Sequence, residues 1–313
     1  MKVIVISGPT ASGKTQISID LARKFGGEIV NFDSLLLYKE INIGTAKPSF
    51  AEQQQVPHHM LDVCSIAQPM NAADYSKAAL PIVNQLLAKN KIVYLVGGSG
   101  FYLQALLKGM YDSETTPADI QQKSNELYQA QGIAPFLEIL KEHDPQSLER
   151  YHQNDHYRVR RAVEHWWTTG GKISEARIEK DSSNQKMPAA SAHGWDVLHI
   201  HLDLPKEDHL KLIEKRTTGM LKQGLQEEVK GLLTRGFTGK EKPLQSIGYK
   251  EILDHHFGVF KDLAKCQERI IISTRQLAKA QRTWFKRDHS KLTFHPLLER
   301  EVIFEKVQSF LAS

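Results

Sequence analysis

Residues 3–15 read VIVISGPTASGKT. Val3–Ser7 is a continuous, largely β-branched run of strand length. Gly8-Pro9-Thr10-Ala11-Ser12-Gly13-Lys14-Thr15 then matches the G-x-x-x-x-G-K-[ST] pattern, and a helix is expected to begin near Lys14. The glycines let the backbone curl so that its N–H groups converge on an anion, and the helix N-terminus adds partial positive charge. Lys14 supplies a full charge, and the Thr15 hydroxyl is the candidate ligand for Mg²⁺. A nucleoside triphosphate (ATP) is the default occupant of such a loop, but any pyrophosphate meets the same geometry.

Ile17, Leu21, Ala22 and Phe25 share a helix face closed by Gly26, and Glu28–Asp33 reads as a second strand, completing a βαβ unit. Further strand-like runs lie at Ile92–Gly97 and Trp195–Leu204, with a helix over Ala73–Asn90 that Pro81 either kinks or begins. The first three runs have the composition of strands buried on both faces of a parallel sheet. From about Pro117 to Lys180 only helical patterns occur, with Tyr128, Phe136, Leu137, Leu140 and Leu148 as core candidates, and Asp181–Ala192 reads as a polar, mobile loop. The expected fold is α/β: a P-loop-type parallel sheet flanked by helices, with a helical insertion domain. Its expected segments are 1–116 (first part of the core), 117–192 (insertion) and 193–313 (second part, mostly helical).

Ligands of parallel α/β sheets sit outside the carboxyl ends of the strands. Asp33-Ser34 and Gly97-Gly98-Ser99-Gly100 should therefore face the same crevice as the phosphate loop. Asp33 is either the N-cap of a following helix or a carboxylate that takes a proton or holds Mg²⁺ through water. The glycines suit either a ligand's close approach or a tight turn. The third strand ends in glycine and not aspartate, which disfavours ATP hydrolysis as the main activity.

The 313 residues carry 41 Lys+Arg and 36 Asp+Glu, a net charge of +5, with 41% hydrophobic and 25% charged residues. These values exclude a predominantly disordered chain. No apolar run reaches the ~20 residues of a membrane span, and the N-terminus shows no cleavable signal pattern. Two distant cysteines, Cys64 and Cys266, exclude a disulfide framework and a cysteine-based zinc site and fit a reducing, cytoplasmic setting. The adjacent pairs His58-His59 and His255-His256 do not share an element face, so a metal site there is not expected. Between Arg269 and Arg287 six basic residues occur with no acid, and Arg275, Lys279, Arg282 and Lys286 fall at helical spacing as one stripe able to follow phosphates.

An ordered series of motifs runs through the chain: GPTASGKT (8–15), DSLLLY (33–38), IGTAKP (43–48), PHHMLDV (57–63), NAADY (71–75), GGSGFYLQALL (97–107), NDHYRVRRAVEHWWTTG (154–170), SIGYKE (246–251) and TRQLAKAQRTWF (274–285). The series resembles the bacterial tRNA dimethylallyltransferase (isopentenyltransferase) family. The resemblance covers roughly Val3 to Lys286. Three departures from the family pattern are visible: Ser99 stands where threonine is usual, Tyr157 where glutamine is usual, and the basic residue early in the insertion is Lys123.

The resemblance implies transfer of a dimethylallyl group from dimethylallyl diphosphate to N6 of the adenosine 3′ of the anticodon, in tRNAs reading U-initial codons. It implies Mg²⁺ as cofactor, the tRNA anticodon stem-loop as partner, and no obligate protein partner. Asp33 is the candidate general base. Thr10, Lys14 and, in the Arg-x-x-x-Met pattern ending at Met220, Arg216 are the candidate catalytic contacts to the diphosphate, which Gly8–Thr15 would cradle. For tRNA the resemblance points to Asp33, Ser34, Leu35, Leu36, Ser99 and Lys123, to Tyr157, Arg158, Val159, Arg160 and Arg161, and, joined to the stripe, to Arg275, Lys279 and Arg282. A channel shielded from water is expected, because a carbocation-like allylic carbon would otherwise be quenched, and the target base must leave its stack. A P-loop small-molecule kinase and a nucleic-acid-binding ATPase are the alternatives that the loop and stripe leave open.

Overall fold

The computed structural model describes residues 1–109, 116–176, 193–288 and 290–313. The chain divides into two compact units, Met1–Leu107 with His193–Ser313, and Lys108–Ala192. The expected mobile loop at Asp181–Ala192 lies outside the described residues.

The first unit holds a six-stranded, all-parallel sheet: β1 (Lys2–Ser7), β2 (Glu28–Asn31), β3 (His58–His59), β4 (Val93–Gly97), β5 (Asp196–Leu202) and β6 (Leu292–Phe294). The order is β3-β2-β4-β1-β5-β6. Strand alternation sorts the apolar residues into two layers. Val3, Val5, Val30 and Leu95 pack with the helices Ala72–Ala88 and Gly100–Lys108 and with Phe285, whereas Ile4, Ile6, Ile29 and Tyr94 pack with the helices Lys14–Phe25 and Arg300–Ala312. The two edge strands, β3 and β6, were not foreseen. They are two and three residues long, too short to carry a period, and backbone pairing alone defines them.

Pro81 sits inside the helix Ala72–Ala88 and does not begin it. The start is set by a capping box: the Asn71 side chain accepts from the Ala73 and Asp74 N–H groups while the Asp74 carboxylate accepts from Asn71 N–H. Tyr75 of the same motif is fully buried and donates its hydroxyl to the carbonyl of Asn31, tying the helix to the end of β2.

Ser7 closes β1 opposite Gly97 of β4 and His201 of β5. Its hydroxyl lies 2.7 Å from His199 Nε2 and 2.8 Å from His201 Nδ1, and His199 Nδ1 lies 2.6 Å from Asp288. The connectivity matches a Ser-His-Asp triad. Ser7 has no exposed surface, so no substrate reaches it, and the chain of bonds instead satisfies buried polar groups at the sheet centre.

The second unit packs Ala118–Gln131, Ala134–His143, Pro145–Arg150 and His156–Thr169 around Phe136, Leu140, Tyr151, Val159, Ala162, Val163 and Ile173. Its buried carboxylates are satisfied locally: Asp144 accepts from Ser147 and Ser174, and Glu164 from Ser124 and Arg161.

Candidate active site

The phosphate loop curls as its glycines require. Gly13 sits at φ 83°, and Ala11, which is not a glycine, at φ 62°. Lys14 folds back to donate to the carbonyls of Gly8 (3.0 Å) and Pro9 (2.8 Å). Burial pushes the Lys14 ammonium down to about 8; Asp33 opposes the shift and Arg216 adds to it. The Ser12 hydroxyl is buried with no hydrogen-bond partner among the described residues.

Asp33 follows β2 and does not cap a helix. Its backbone is clasped by the Asn31 amide, which donates to Asp33 C=O and accepts from Asp33 N–H, while the carboxylate accepts from Leu35 N–H at 3.2 Å. Ser99 reaches the same loop: its hydroxyl accepts from Ser34 N–H and donates to Ser34 Oγ. The glycines beside it serve protein atoms. A Cβ on Gly98 would stand 2.5 Å from the Gln281 amide, and one on Gly97 would stand 2.8 Å from Asp33 N.

Arg216 projects from the helix Lys206–Lys222 and donates to Thr45 C=O at 3.1 Å. Burial lowers its affinity for the proton and Asp33 raises it. The loop bearing Thr45 is itself fixed by Glu228, whose carboxylate accepts from the N–H groups of Asn42, Ile43 and Gly44 and from Tyr249 Oη. The Tyr249 hydroxyl is raised well above its ordinary value by burial and by Glu228. Lys47 links two further motifs, donating to Tyr38 C=O and pairing with Asp62.

Thr10, Lys14, Thr15, Asp33 and Arg216 thus line one cleft of about 560 Å³, with Met220 and Leu212 as apolar wall. The cleft brings together the Gly8–Thr15 loop with its Lys14 ammonium, the Asp33 carboxylate, and a second cation, Arg216, from a helix far downstream in the chain. The oxygen donors present, the Thr15 hydroxyl and the Asp33 carboxylate, suit a hard cation such as Mg²⁺ that retains waters and shares phosphate oxygens. The unpartnered Ser12 hydroxyl fits an anion in the loop. No cluster of three or more His, Cys, Asp or Glu side chains that could hold a metal occurs among the described residues.

The IPP transferase family model matches residues 36–288. The chain belongs to the IPP transferase family. It is 39% identical to tRNA dimethylallyltransferase 2 of Geotalea uraniireducens, across 92% of this chain and 90% of that protein. It is 38% identical to tRNA dimethylallyltransferase 1 of Trichlorobacter lovleyi, across 91% and 90%. Among solved structures, a eukaryotic dimethylallyltransferase acting on tRNA aligns with a TM-score of 0.80 at 27% identity, covering 99% of this chain and 79% of that one. The full-length tRNA isopentenylpyrophosphate transferase of Bacillus halodurans aligns at 0.70 and 26%, covering 99% and 95%.

As an IPP transferase the chain departs from the sequence-based expectation at two residues. Val159 is fully buried in the helical unit's core, so it cannot meet RNA. It shares a motif with exposed residues because successive helix positions face different ways. Arg282 leaves the basic stripe: its guanidinium donates to Asp203 Oδ1 (2.7 Å), Leu204 C=O (3.2 Å) and His209 Nδ1 (2.7 Å).

The other candidates lie on accessible surface. Arg275, Lys279, Tyr157, Arg158 and Lys123 are exposed, with Lys123 Nζ 4.1 Å over the Trp167 ring. Arg158 pairs with Asp155, while Arg160 and Arg161 are engaged with Ser124 and Glu164. Sequence reasoning missed Glu228, Gln281 and His209. Gln281 accepts from Thr10 N–H (2.8 Å) and donates to Gly98 C=O (3.1 Å), bridging two loops. It stands within the motif TRQLAKAQRTWF, but nothing in the spacing separates a bridging glutamine from a solvated one.

Proposed function

We propose that this chain transfers a dimethylallyl group from dimethylallyl diphosphate to tRNA, at N6 of the adenosine immediately 3′ of the anticodon in tRNAs that read U-initial codons. The observation that carries the reading is that Asp33, Lys14 and Arg216 line one cleft at the strand ends, close enough for the carboxylate to act on both cations. The bond formed joins N6 to C1 of the donor, and the bond broken joins C1 to the diphosphate oxygen. Asp33 takes the N6 proton, because an amine conjugated to the ring is a poor nucleophile until it is relieved of that proton. Lys14, Arg216 and the N–H groups of Gly8–Thr15 hold the diphosphate and offset its growing charge. Thr15 would hold Mg²⁺, which when bound supplies further neutralisation at the diphosphate oxygens. Arg158, Arg275 and Lys279 are exposed cations suited to the RNA backbone.

Incubating the protein with unmodified tRNA and either dimethylallyl diphosphate or ATP tests the reading. Prenylated adenosine should form in the first mixture, at the position named, and mapping the modified nucleotide checks that position. Phosphoryl transfer or ATP hydrolysis without prenylation would overturn it.

A further inference from the structure

Thr10 lies in the middle of the phosphate loop, yet both of its backbone polar groups are held from outside that loop. Its N–H donates to Gln281 Oε1 at 2.8 Å, and its carbonyl lies 2.7 Å from His209 Nε2. His209 belongs to the helix Lys206–Lys222 and is 2% exposed. Its other ring nitrogen, Nδ1, lies 2.7 Å from Arg282 Nη2. A guanidinium can only donate, so Nδ1 accepts and Nε2 carries the proton. The ring is then a neutral imidazole that passes the orientation of Arg282 to the Thr10 carbonyl. Arg282 is in turn fixed by Asp203 and by Leu204 C=O, just beyond β5.

The next residue shows why such a clamp matters. Ala11 stands at φ 62°, the left-handed region that costs a residue with a Cβ roughly 1–2 kcal/mol. Strain of this kind persists only where the surroundings over-determine the backbone. The loop's own contributions are one turn, Ser12 N–H to Pro9 C=O at 3.2 Å, and the Lys14 ammonium on the Gly8 and Pro9 carbonyls. None of these reaches Thr10, and the bonds from Gln281 and His209 hold the peptide that precedes Ala11.

We propose that His209, oriented by Arg282, is a positioning residue that keeps the phosphate loop curled for a diphosphate before the ligand arrives. It acts through Thr10 and touches neither donor nor RNA. The proposal rests on the proposed function only for the identity of the donor; the clamp concerns any pyrophosphate.

The test compares His209→Phe, which keeps the ring and removes both bonds, with His209→Gln, which retains one donor and one acceptor. Calorimetry with inorganic pyrophosphate and Mg²⁺ reads the loop without prenyl group or tRNA. Loss of a neutral hydrogen bond corresponds to roughly a fivefold to tenfold change in affinity. His209→Phe should weaken pyrophosphate by about that factor and raise the KM for dimethylallyl diphosphate with it, with kcat and tRNA affinity little changed. His209→Gln should recover most of the loss. Unaltered pyrophosphate affinity in His209→Phe would overturn the proposal. So would equal weakening of pyrophosphate and tRNA in both variants, the mark of a residue that only fills the core. Wild-type protein that binds pyrophosphate but does not prenylate tRNA would remove the proposed function and leave the clamp to stand or fall on the variants.

Discussion

At the scale of single residues the cleft is an arrangement of three charges. Asp33 is braced through its backbone by Asn31 and through its carboxylate by Leu35 N–H, so its position does not depend on the ligand. Asp33→Ala should therefore fold and bind tRNA yet lose prenyl transfer by roughly 10²-fold or more, the ordinary scale for a general base. Single-turnover kinetics check this, and near-normal turnover would exclude Asp33 as the base. Burial pushes the Lys14 ammonium down to about 8. Its charged form exists below that value and its neutral form above, and a bound diphosphate favours the charged form. Pyrophosphate affinity should thus fall as pH rises through about 8, and binding slightly above that pH should take up protons. Calorimetry in buffers of different ionisation enthalpy measures the uptake, and Lys14→Ala should remove the part that Lys14 contributes, leaving that of pyrophosphate itself.

At the scale of elements, the helix Leu263–Phe285 does two jobs on two faces. Gln281, Arg282 and Phe285 face inward, to the phosphate loop, Asp203 and the sheet's core. Arg275 and Lys279 face solvent with no ion pair among the described residues. The spacing Arg275, Lys279, Arg282 predicts one stripe, but Arg282 lies at its inner margin, where Asp203 offers a half-buried guanidinium its partner. Periodicity gives the face of a residue to within a helical step and does not reveal which marginal residue finds a partner inside. Arg275→Gln with Lys279→Gln should weaken tRNA binding. The slope of log K against log salt should shrink by about 0.7 to 0.9 for each phosphate that the variant no longer neutralises. Turnover at saturating tRNA should persist. Titrations at several salt concentrations decide the matter, and an unchanged slope would place the RNA on another face.

At the scale of the whole molecule, the parallel sheet was legible because three of its four inner strands, β1, β2 and β4, are largely apolar on both faces and the phosphate-loop pattern anchors their direction. Two of the cleft's three charges were legible for the same reason: strand ends put Lys14 and Asp33 at one edge, whereas Arg216, on a helix, was indicated only by the family resemblance. What holds them was not. Glu228 and His209 act on backbone groups far away in sequence, and no local pattern distinguishes a carboxylate that caps loop N–H groups from a solvated one. The same holds for His199 and His201, which read as ordinary strand residues and prove to be central to a buried polar network.

That network makes stability depend on pH. His201 is 3% exposed, and burial pushes its imidazole down to about 4 from an ordinary 6.5; His199, Lys291 and Lys14 add to the shift, and Asp203 opposes it. A group whose affinity for protons is lower in the folded state stabilises the fold above its unfolded pKa and loses that contribution as pH falls toward the folded one. The window is therefore from about 6.5 down to about 4, and the loss attributable to His201 is about 3 kcal/mol. Urea unfolding at about pH 7 and about pH 5 should show the wild type weakened at the lower pH. His201→Gln, which keeps a polar side chain beside Ser7 but cannot take up a proton, should start from lower stability at neutral pH because a buried bond is disturbed. It should then lose distinctly less between the two pH values. His58 and His209 are also held below their ordinary values by burial, so the variant should retain part of the slope. If the two proteins lost the same stability over that interval, His201 would take up its proton in the fold at the same pH as in the unfolded chain, and its burial beside Ser7 would not lower its affinity for protons.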